Sequence, residues 1–528
     1  MQEFDFLKAH NLLLKLKIFG IKIAICNDGL IIKYGKGKEL NEGILSEIKT
    51  NKTDLIEYLK LGDPQISRSD EGSSEVAEKN KNDTYYEITP TQIYWINEDI
   101  DRDYKLYDRV HGNVFLNYSI SGDFVPELFI QSIRFLTTRH ESLRATFHKI
   151  DDRYRMKVES EYSDLFIPTF IDLQPVNSKK ELLLEETVHF AGHRFDFETG
   201  PLFLVRIIQI SDREFIIAFK IHHVIFDTCS EEILFKEMII VYNSLSQGRG
   251  PQLNALNYQY RDFLAGINHF AALNRENDRK YWAGLFRNVP PELLIPGVAR
   301  SNYDVRNKIF SKEHFKVSEE LVTKLILLQK RHSTTLFIIL QAFFKLFLYH
   351  ITGQNDILIG TYVFGRDYPG AEDQIGCYAK TALIRTVLDK DDLISNVIEK
   401  VKRSNEDMKK YTAFPLRDFL EEMLPIGYNT RHKLWNVNMQ FFDSNFYENG
   451  KLDIGKDITN KPNITIGKTP FSIGNSLIAI DMQLQFIVRN KALHMIAQYD
   501  GSLYSSSIIR DFILKFLEYG RKVQCNID

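Results

Sequence analysis

Residues 214–227, EFIIAFKIHHVIFD, are the most informative stretch of this sequence. Large apolar side chains recur at alternate positions, a period of two that is typical of a β-strand. His222 and His223 close the run, so their side chains point to opposite faces and at most one of them enters a given cavity. Asp227 follows closely enough for the chain to turn back and fix the local loop.

Adjacent histidines at a strand end have three interpretations: packing with hydrogen bonding, catalysis, or metal binding. A metal would need a third ligand at useful spacing, and the sequence offers none, so we predict no metal site. Cys229 follows Asp227 and suggests a Cys/His nucleophile, but its neighbours supply no orienting partner. Packing and catalysis both remain open on these residues alone.

Outward from this strand, alternating strand and helix patterns run from about Tyr85 to the C-terminus and predict an α/β fold. The most apolar stretch, Leu336 to His350, is interrupted by Gln341 and Lys345. It is shorter than the roughly 20 apolar residues that cross a bilayer. We therefore predict a buried helix there, and no membrane association.

The N-terminal residues 1–61 predict a separate small α+β unit with a helix, a β-hairpin and two further helices. The first helix is indicated by apolar residues at helical spacing before Gly20, namely Leu12, Leu13, Leu16 and Phe19. Two alternating runs then flank Asp28-Gly29, a dipeptide that favours a tight hairpin turn. Residues 62–84 contain almost no large apolar side chain and predict a flexible linker.

The composition restricts the class of protein further. The 528 residues are 44% hydrophobic and 26% charged, as in a globular protein long enough for two or three domains. The formal net charge of -3 argues against a general nucleic-acid binder. Four scattered cysteines without a CxxC pair, and an N-terminus without a secretory signal, predict a cytoplasmic location.

Several motifs together resemble one family. HHVIFDT (222–228) is similar to the HHxxxDG signature of the nonribosomal peptide synthetase condensation domains, which are related to chloramphenicol acetyltransferase. The other similar stretches follow in the family's order: TPTQIYW (89–95), RHESLRATF (139–147), YRDF (260–263), YWAGLF (281–286), TLFIILQAFFKLFLYHITGQNDILIGTYVFGRDYP (335–369), IGCYAKTALIR (375–385) and YTAFPLRDFLEEM (411–423). The resemblance covers about Tyr85 to the C-terminus, and its specificity comes from the ordered set.

This resemblance implies two chloramphenicol-acetyltransferase-like lobes, 85–255 and 256–528, in a V-shaped pseudo-dimer with a tunnel between them. It implies that His223 is the catalytic histidine, and that His222 and Asp227 support it. The remaining supporting positions that it implies are Arg139, Arg144, Thr228, Lys380 and Arg385. One of the two arginines of 139–147 is expected to pair with Asp227.

Two of these positions depart from the family pattern. Thr228 replaces a glycine and Lys380 replaces an asparagine. A residue with a β-carbon at 228 is expected to narrow the channel floor or to accept a different backbone angle. Because the histidine is intact, we expect altered handling of the acceptor rather than lost activity.

The implied reaction joins an acyl or peptidyl thioester to an amine. The acyl group arrives on the 4′-phosphopantetheine arm of a carrier protein, so no cofactor bound to this chain is expected. Carrier, adenylation and thioesterase motifs are missing from the sequence, which predicts chain-terminating release onto a small free amine, as in rhabdopeptide-like systems. Elongation onto a carrier-bound aminoacyl acceptor is the alternative, with a carrier-recruiting scaffold, a coenzyme A acetyltransferase, and epimerisation or cyclisation enzymes as further candidates.

Residues 1–61 resemble the N-terminal docking domains of the tubulysin-synthetase type. The similar stretches are LLLKLKIFGIKIAICNDGLIIKYG (12–35) and ELNEGILSEIKTNKTDLIEYLK (39–60). The resemblance implies that the C-terminal tail of an upstream synthetase adds as a strand beside the hairpin of a monomeric protein. The residues expected to bind that tail are Lys22, Ile31, Lys33, Lys36 and Lys38. The lysines favour an acidic tail, or else form only a solvated face.

Overall fold

The computed structural model describes most of the chain. The described residues are 9, 12, 16, 21–26, 29–33, 42–60, 84–100, 112–159, 168–175, 179–256, 258–293, 295–296, 309–366, 370–411, 414, 416–423, 435–442, 465–468, 480–489 and 492–523. They separate into two compact units. The first takes in the described residues of Met1–Ala265, Arg366–Tyr378 and Gly450–Gly474, and the second those of Gly266–Gly365, Ala379–Asn449 and Asn475–Asp528.

Helices and strands alternate along the chain as predicted. Up to residue 285 the elements are β1 Lys22–Cys26, β2 Gly29–Lys33, α1 Glu42–Thr50, α2 Lys52–Lys60, β3 Tyr85–Glu87, α3 Pro90–Ile100, β4 Asn113–Ser121, α4 Pro126–Arg139, β5 Ala145–Ile150, β6 Arg153–Val158, β7 Thr169–Asp172, α5 Lys179–Gly192, β8 Phe203–Ser211, β9 Glu214–His222, α6 Thr228–Ser246 and α7 Tyr260–Leu285. The later elements are β10 Phe310–Lys316, α8 Glu319–Arg331, α9 Leu336–Thr352, β11 Asp356–Val363, β12 Lys380–Val387, α10 Ile394–Lys410, α11 Leu416–Met423, β13 Val437–Phe442, β14 Thr465–Lys468, β15 Met482–Arg489, β16 Ala492–Asp500 and α12 Ser506–Lys522.

The N-terminal hairpin and its two following helices are present where the sequence predicts them. Strands β1 and β2 are antiparallel, and Lys22 lies opposite Lys33. Ala9, Leu12 and Leu16 are helical and buried, in agreement with the predicted first helix. The rest of that helix, the Asp28-Gly29 turn, Lys36, Lys38 and linker residues 62–83 lie outside the described residues.

A five-stranded sheet in the first unit carries the histidine strand. Its order is β14-β4-β9-β8-β7, and β9 is antiparallel to both neighbours. On one face of β9, Phe219 contacts the rings of Phe129 on α4 and Phe235 on α6, at centroid distances of 6.3 and 5.7 Å. Burying each such ring contributes about 1.5–3 kcal/mol. This aromatic packing fixes the strand that ends at His222.

The second unit is built on a six-stranded sheet of order β10-β16-β15-β13-β11-β12. Helix α9 confirms the buried helix predicted for Leu336 to His350. Its start is capped by the Thr335 hydroxyl, which accepts from the Ile338 N–H, and it ends at Gly353 in the left-handed conformation. Both polar residues that interrupt the apolar run, Gln341 and Lys345, are buried as well.

Length and apolarity decide whether any of the described helices could cross a membrane. Among them, no single helix is both long and apolar enough to cross a membrane. Helices α8 and α9 meet the criterion only as a pair, and the two are bent by 112° at their junction.

Candidate functional site

The two adjacent histidines diverge at the end of β9, as the strand alternation predicts. His222 is buried, with its ring edge-on to Phe197 at a centroid distance of 4.9 Å. Its Nδ1 accepts a hydrogen bond of 3.1 Å from the Val224 N–H. His223 begins a 3-10 turn and remains partly exposed. His222 therefore has the packing role and His223 the accessible one.

The hydrogen bond at His223 fixes which ring nitrogen is basic. Its Nδ1 lies 3.2 Å from the carbonyl oxygen of Phe226. A carbonyl only accepts, so Nδ1 carries the proton and the lone pair of the neutral ring is on Nε2. Burial lowers the pKa of His223, against smaller opposing effects of the Phe226 carbonyl and the Asp227 charge. The ring is thereby kept in its neutral form.

Asp227 organises the loop that follows His223. Its Oδ1 accepts from the Ser230 N–H at 2.9 Å and the Ser230 hydroxyl at 2.7 Å, so Asp227 caps α6. Its Oδ2 accepts from the Tyr378 N–H at 3.1 Å. The carboxylate thus ties the histidine turn both to α6 and to segment 370–378.

The prediction that Arg139 or Arg144 pairs with Asp227 is wrong. Arg366 occupies that place, with its Nη2 2.7 Å from Asp227 Oδ1. Arg139 is committed to Glu237 through Nε and Nη2, each 3.0 Å from a carboxylate oxygen. Arg144 donates instead to the carbonyls of Thr137 and Glu159. Both motif arginines therefore hold the end of α4.

The Arg366 guanidinium also shapes segment 370–378. Its Nη1 donates to the carbonyls of Ala371 and Gln374, at 2.5 and 2.6 Å, and its Cζ lies 4.4 Å from the centroid of the Tyr378 ring. The sequence signal was present in GTYVFGR (360–366), but the motif did not reveal the partner. Only the fold brings residue 366 to residue 227.

Gly376 lets this segment approach closely. A β-carbon at this position would overlap the Tyr260 ring, and Tyr260 donates its hydroxyl to the Cys377 carbonyl at 2.8 Å. The Ser230 hydroxyl accepts from the Gly376 N–H at 3.0 Å. The segment is therefore fixed to the histidine loop at several points, and a larger side chain has no place there.

The two departures from the family pattern, Thr228 and Lys380, lie in regular secondary structure. Thr228 is the first residue of α6 and its side chain is exposed. The described non-glycine residues with positive φ are Asp151, Asp152 and Ser333, so residue 228 has no glycine-like backbone conformation. Lys380 is the first residue of β12, opposite Val363, and is partly buried.

Arg385 and Cys229 have structural rather than chemical surroundings. Arg385 pairs through Nε and Nη2 with Asp356, at 2.8 and 2.6 Å, within the second unit. Burial and the Asp227 charge raise the pKa of the Cys229 thiol to about 11. A thiol of that pKa is not a thiolate at neutral pH, which argues against a cysteine nucleophile. Within the described ranges no three His, Cys, Asp or Glu side chains are grouped to hold a metal ion.

At the N-terminal hairpin, the described residues of the expected tail-binding set are Lys22, Ile31 and Lys33. Ile31 is 41% exposed, which is unusual for a large apolar side chain in a strand. Lys22 and Lys33 are directly opposite in the antiparallel register. An apolar residue and two lysines therefore share this small sheet.

The mixed α/β fold is that of the condensation domains. The family model "Condensation domain" matches residues 82–523, and the chain belongs to this family. Among solved structures, the X-domain from teicoplanin biosynthesis has a TM-score of 0.68 at 16% identity, covering 86% of this chain and 98% of that one. The starter condensation domain of rhizomide synthetase has a TM-score of 0.66 at 16% identity, covering 84% and 98%. The predicted fold class is confirmed.

Curated relatives are large peptide synthases. Tyrocidine synthase 3 of Brevibacillus parabrevis is 26% identical over 343 residues, which are 62% of this chain and 5% of that protein. Gramicidin S synthase 2 of Aneurinibacillus migulanus is 25% identical over 410 residues, 75% of this chain and 8% of that protein. The chain thus spans less than a tenth of the length of either relative.

Proposed function

We propose that this chain forms an amide bond between a carrier-bound acyl or peptidyl thioester and an amine. The observation that carries the proposal is the state of His223. Its Nδ1–H is bonded to the Phe226 carbonyl, which leaves a basic Nε2 on a partly exposed ring. Membership of the condensation-domain family supplies the reaction class.

In the proposed step the amine nitrogen attacks the thioester carbonyl carbon. The amine gives up a proton to Nε2 of His223 as the C–N bond forms. The C–S bond then breaks, and the departing sulfur takes a proton from the imidazolium, which restores the neutral ring. A free α-amino group has a pKa near 8, so a neutral imidazole is a suitable acceptor for its proton. Holding both reactants in place accounts for much of the acceleration.

The proposed acyl donor is a carrier protein from an upstream peptide synthetase, with the acyl group on its 4′-phosphopantetheine arm. The proposed acceptor is a small free amine, so that the product is released. Elongation onto a carrier-bound aminoacyl group uses the same chemistry at His223. The acceptor therefore has to be identified by experiment.

A mass-spectrometric product assay tests the proposal. The full chain is mixed with a carrier loaded with a peptidyl group, and the free amine and the carrier-bound aminoacyl acceptor are offered separately. We expect released amide with the free amine, and its loss by at least about a hundredfold in His223→Ala. His269→Ala, at an exposed position of α7, is the matched control and should retain full activity.

The other outcomes distinguish the alternatives. Transfer only to the carrier-bound acceptor would replace release by elongation. Carrier binding without any product, unchanged in His223→Ala, would favour a recruiting scaffold. Equal activity with acyl-coenzyme A, in the absence of a carrier, would favour an acetyltransferase.

A further inference from the structure

Trp95 covers one face of the His223 ring. The two rings are stacked, with centroids 4.7 Å apart and planes 16° from parallel. Trp95 lies on α3 and is half-buried. It therefore shields part of the imidazole from water while the ring as a whole stays partly exposed.

Helix α3 is tied to the turn that contains His223. The Gln92 side chain accepts from the Thr89 N–H at 3.1 Å, and the Thr89 hydroxyl accepts from the Gln92 N–H at 3.2 Å. Gln92 also donates its Nε2 to the carbonyl of Val224 at 3.0 Å, inside the 3-10 turn. Because Gln92 and Trp95 are three residues apart, they share a helix face. The hydrogen bond from Gln92 to Val224 therefore holds α3, and with it Trp95, close to the turn that contains His223.

Gly112, which immediately precedes β4, also contacts the turn that contains His223. Its carbonyl accepts from the His223 N–H at 2.7 Å, and its φ of +78° suits glycine. A β-carbon here would lie 3.2 Å from His222 Nε2 and 3.8 Å from Cε3 of Trp95. The backbone at Gly112 therefore passes close to the rings of His222 and Trp95, which limits how far Trp95 can shift toward it.

From this geometry we propose that Trp95 is a positioning residue, which holds the His223 imidazole in the plane that presents Nε2 to the reacting amine. The last torsion of a histidine side chain is broad, and the hydrogen bond to Phe226 restrains only one edge of the ring. Stacking restrains the face. Asp227 is the charged group that acts on this ring, and its own charge is paired with Arg366.

A fluorescence titration of the full protein tests the stack without turnover. Protonated imidazole quenches a stacked indole, so tryptophan emission should fall in one step as His223 gains its proton. The step should be lost in both Trp95→Phe and His223→Gln, while Trp282 and Trp435 give a constant background. A step that persists in either variant, or is missing from the wild-type protein, would overturn the proposal.

The kinetic test rests on the proposed function. Trp95→Leu should lower kcat by about two- to tenfold, the range expected for losing one aromatic pair, with KM for the carrier and the amine unchanged. Trp95→Phe should restore most of the rate, and thermal melting checks that both variants fold. Equal kcat in wild-type and Trp95→Leu proteins would contradict the proposal. If the wild-type protein forms no amide, the proposed function fails by itself, and the fluorescence titration still decides on Trp95.

Discussion

A histidine that accepts a proton must be neutral beforehand and must present an unprotonated nitrogen to the substrate. At His223 the Phe226 carbonyl fixes the tautomer, and burial keeps the ring neutral. Asp227 does not bond to the imidazole in this structure. Its carboxylate is used by Ser230, Tyr378 and Arg366, so it shapes the turn and acts on His223 only through its charge.

The rate of amide formation should therefore show an acid limb set by His223. Because burial lowers the pKa of His223, the neutral fraction falls only below the ordinary imidazole pKa of about 6.5. We expect kcat/KM, expressed per concentration of unprotonated amine, to hold down to about that pH and to fall tenfold per pH unit once the pH is below the pKa of His223. The measurement is kcat/KM from pH 5 to 8 with two acceptor amines of different pKa. The acid limb should be the same for both amines, and a limb that moves with the amine would contradict this assignment.

Arg366 is the arginine on which the loop depends. Removing one partner of a buried ion pair costs about 3–5 kcal/mol, and Arg366 also bonds two carbonyls. We expect Arg366→Ala to lower the free energy of unfolding by about that amount and to abolish amide formation. Chemical denaturation and the product assay measure the two effects. Arg213→Ala, which breaks an exposed pair with Asp123, is the control and should change stability by less than about 1 kcal/mol.

At the scale of single elements, α9 shows how far a sequence pattern reaches. The apolar run predicts the helix, and the structure adds the caps at Thr335 and Gly353. The run does not predict that Lys345 is buried, with its Nζ 2.9 Å from the Ile384 carbonyl and 2.7 Å from the Thr386 hydroxyl. Those acceptors lie on β12, some forty positions later, and only the tertiary fold brings them to the helix.

Lys345 should make stability depend on pH. Burial lowers its pKa to about 7, although the Asp356 charge opposes this, whereas the unfolded value is near 10.4. Between these values the unfolded chain binds more protons, so stability rises with pH by about 1.4 kcal/mol per unit; at or below pH 7 the full penalty is present. The measurement is the denaturation midpoint of the wild type and of Lys345→Met at pH 7, 8 and 9. The midpoint of the wild type should rise relative to that of the variant as the pH increases.

The control is Lys316→Met, at an exposed position of β10 in the same unit. A constant difference between the wild type and Lys345→Met over this pH range would show that Lys345 keeps its charge in the folded protein. Lys345→Met also leaves two acceptors without their lysine donor, each costing about 1–3 kcal/mol. Neither acceptor titrates in this range, so this cost is the same at every pH and does not change the slope.

The same division between local and distant information holds at the site. The local pattern predicts strand β9, the divergence of His222 and His223, and a loop fixed by Asp227. The Arg366 partner was not, because 139 positions separate it from Asp227. Trp95 was also missed as an individual residue, since stacking on a ring depends on where α3 is placed. Distant pairs of this kind need either the fold or covariation between homologues.

For the whole molecule, neither compact unit is one continuous stretch of the sequence. Two late segments belong with the first unit: Arg366–Tyr378, held by Asp227 and Ser230, and a segment whose strand β14 pairs antiparallel with β4. A fragment that stops near residue 255 lacks both. The histidine loop would then lose Arg366 together with the backbone donors at Gly376 and Tyr378.

The N-terminal hairpin gives a prediction for the carrier partner. A two-stranded sheet has edges on which an extended tail can add. If the tail binds here, we expect the exposed Ile31 to give it an apolar contact, and Lys22 and Lys33, which are paired in the register, to attract its negative charge. Two surface ion pairs at about 0.7 kcal/mol each amount to a factor of about ten in affinity. The double variant Lys22→Glu/Lys33→Glu should therefore raise KM for an upstream carrier with an acidic tail about tenfold, at unchanged kcat.

Salt and a matched variant separate docking from general charge. Raising the salt concentration from about 0.05 to 0.5 M should raise the KM of the wild type for this carrier, because salt screens exposed ion pairs. The KM of the double variant should stay nearly unchanged. Lys49→Glu, at an exposed position of α1, changes the charge of the same small unit away from the hairpin and should leave KM unaltered. If Lys49→Glu raises KM as much as the hairpin variant, the lysines act only as a diffuse charge. If neither variant does, the tail does not bind at this hairpin.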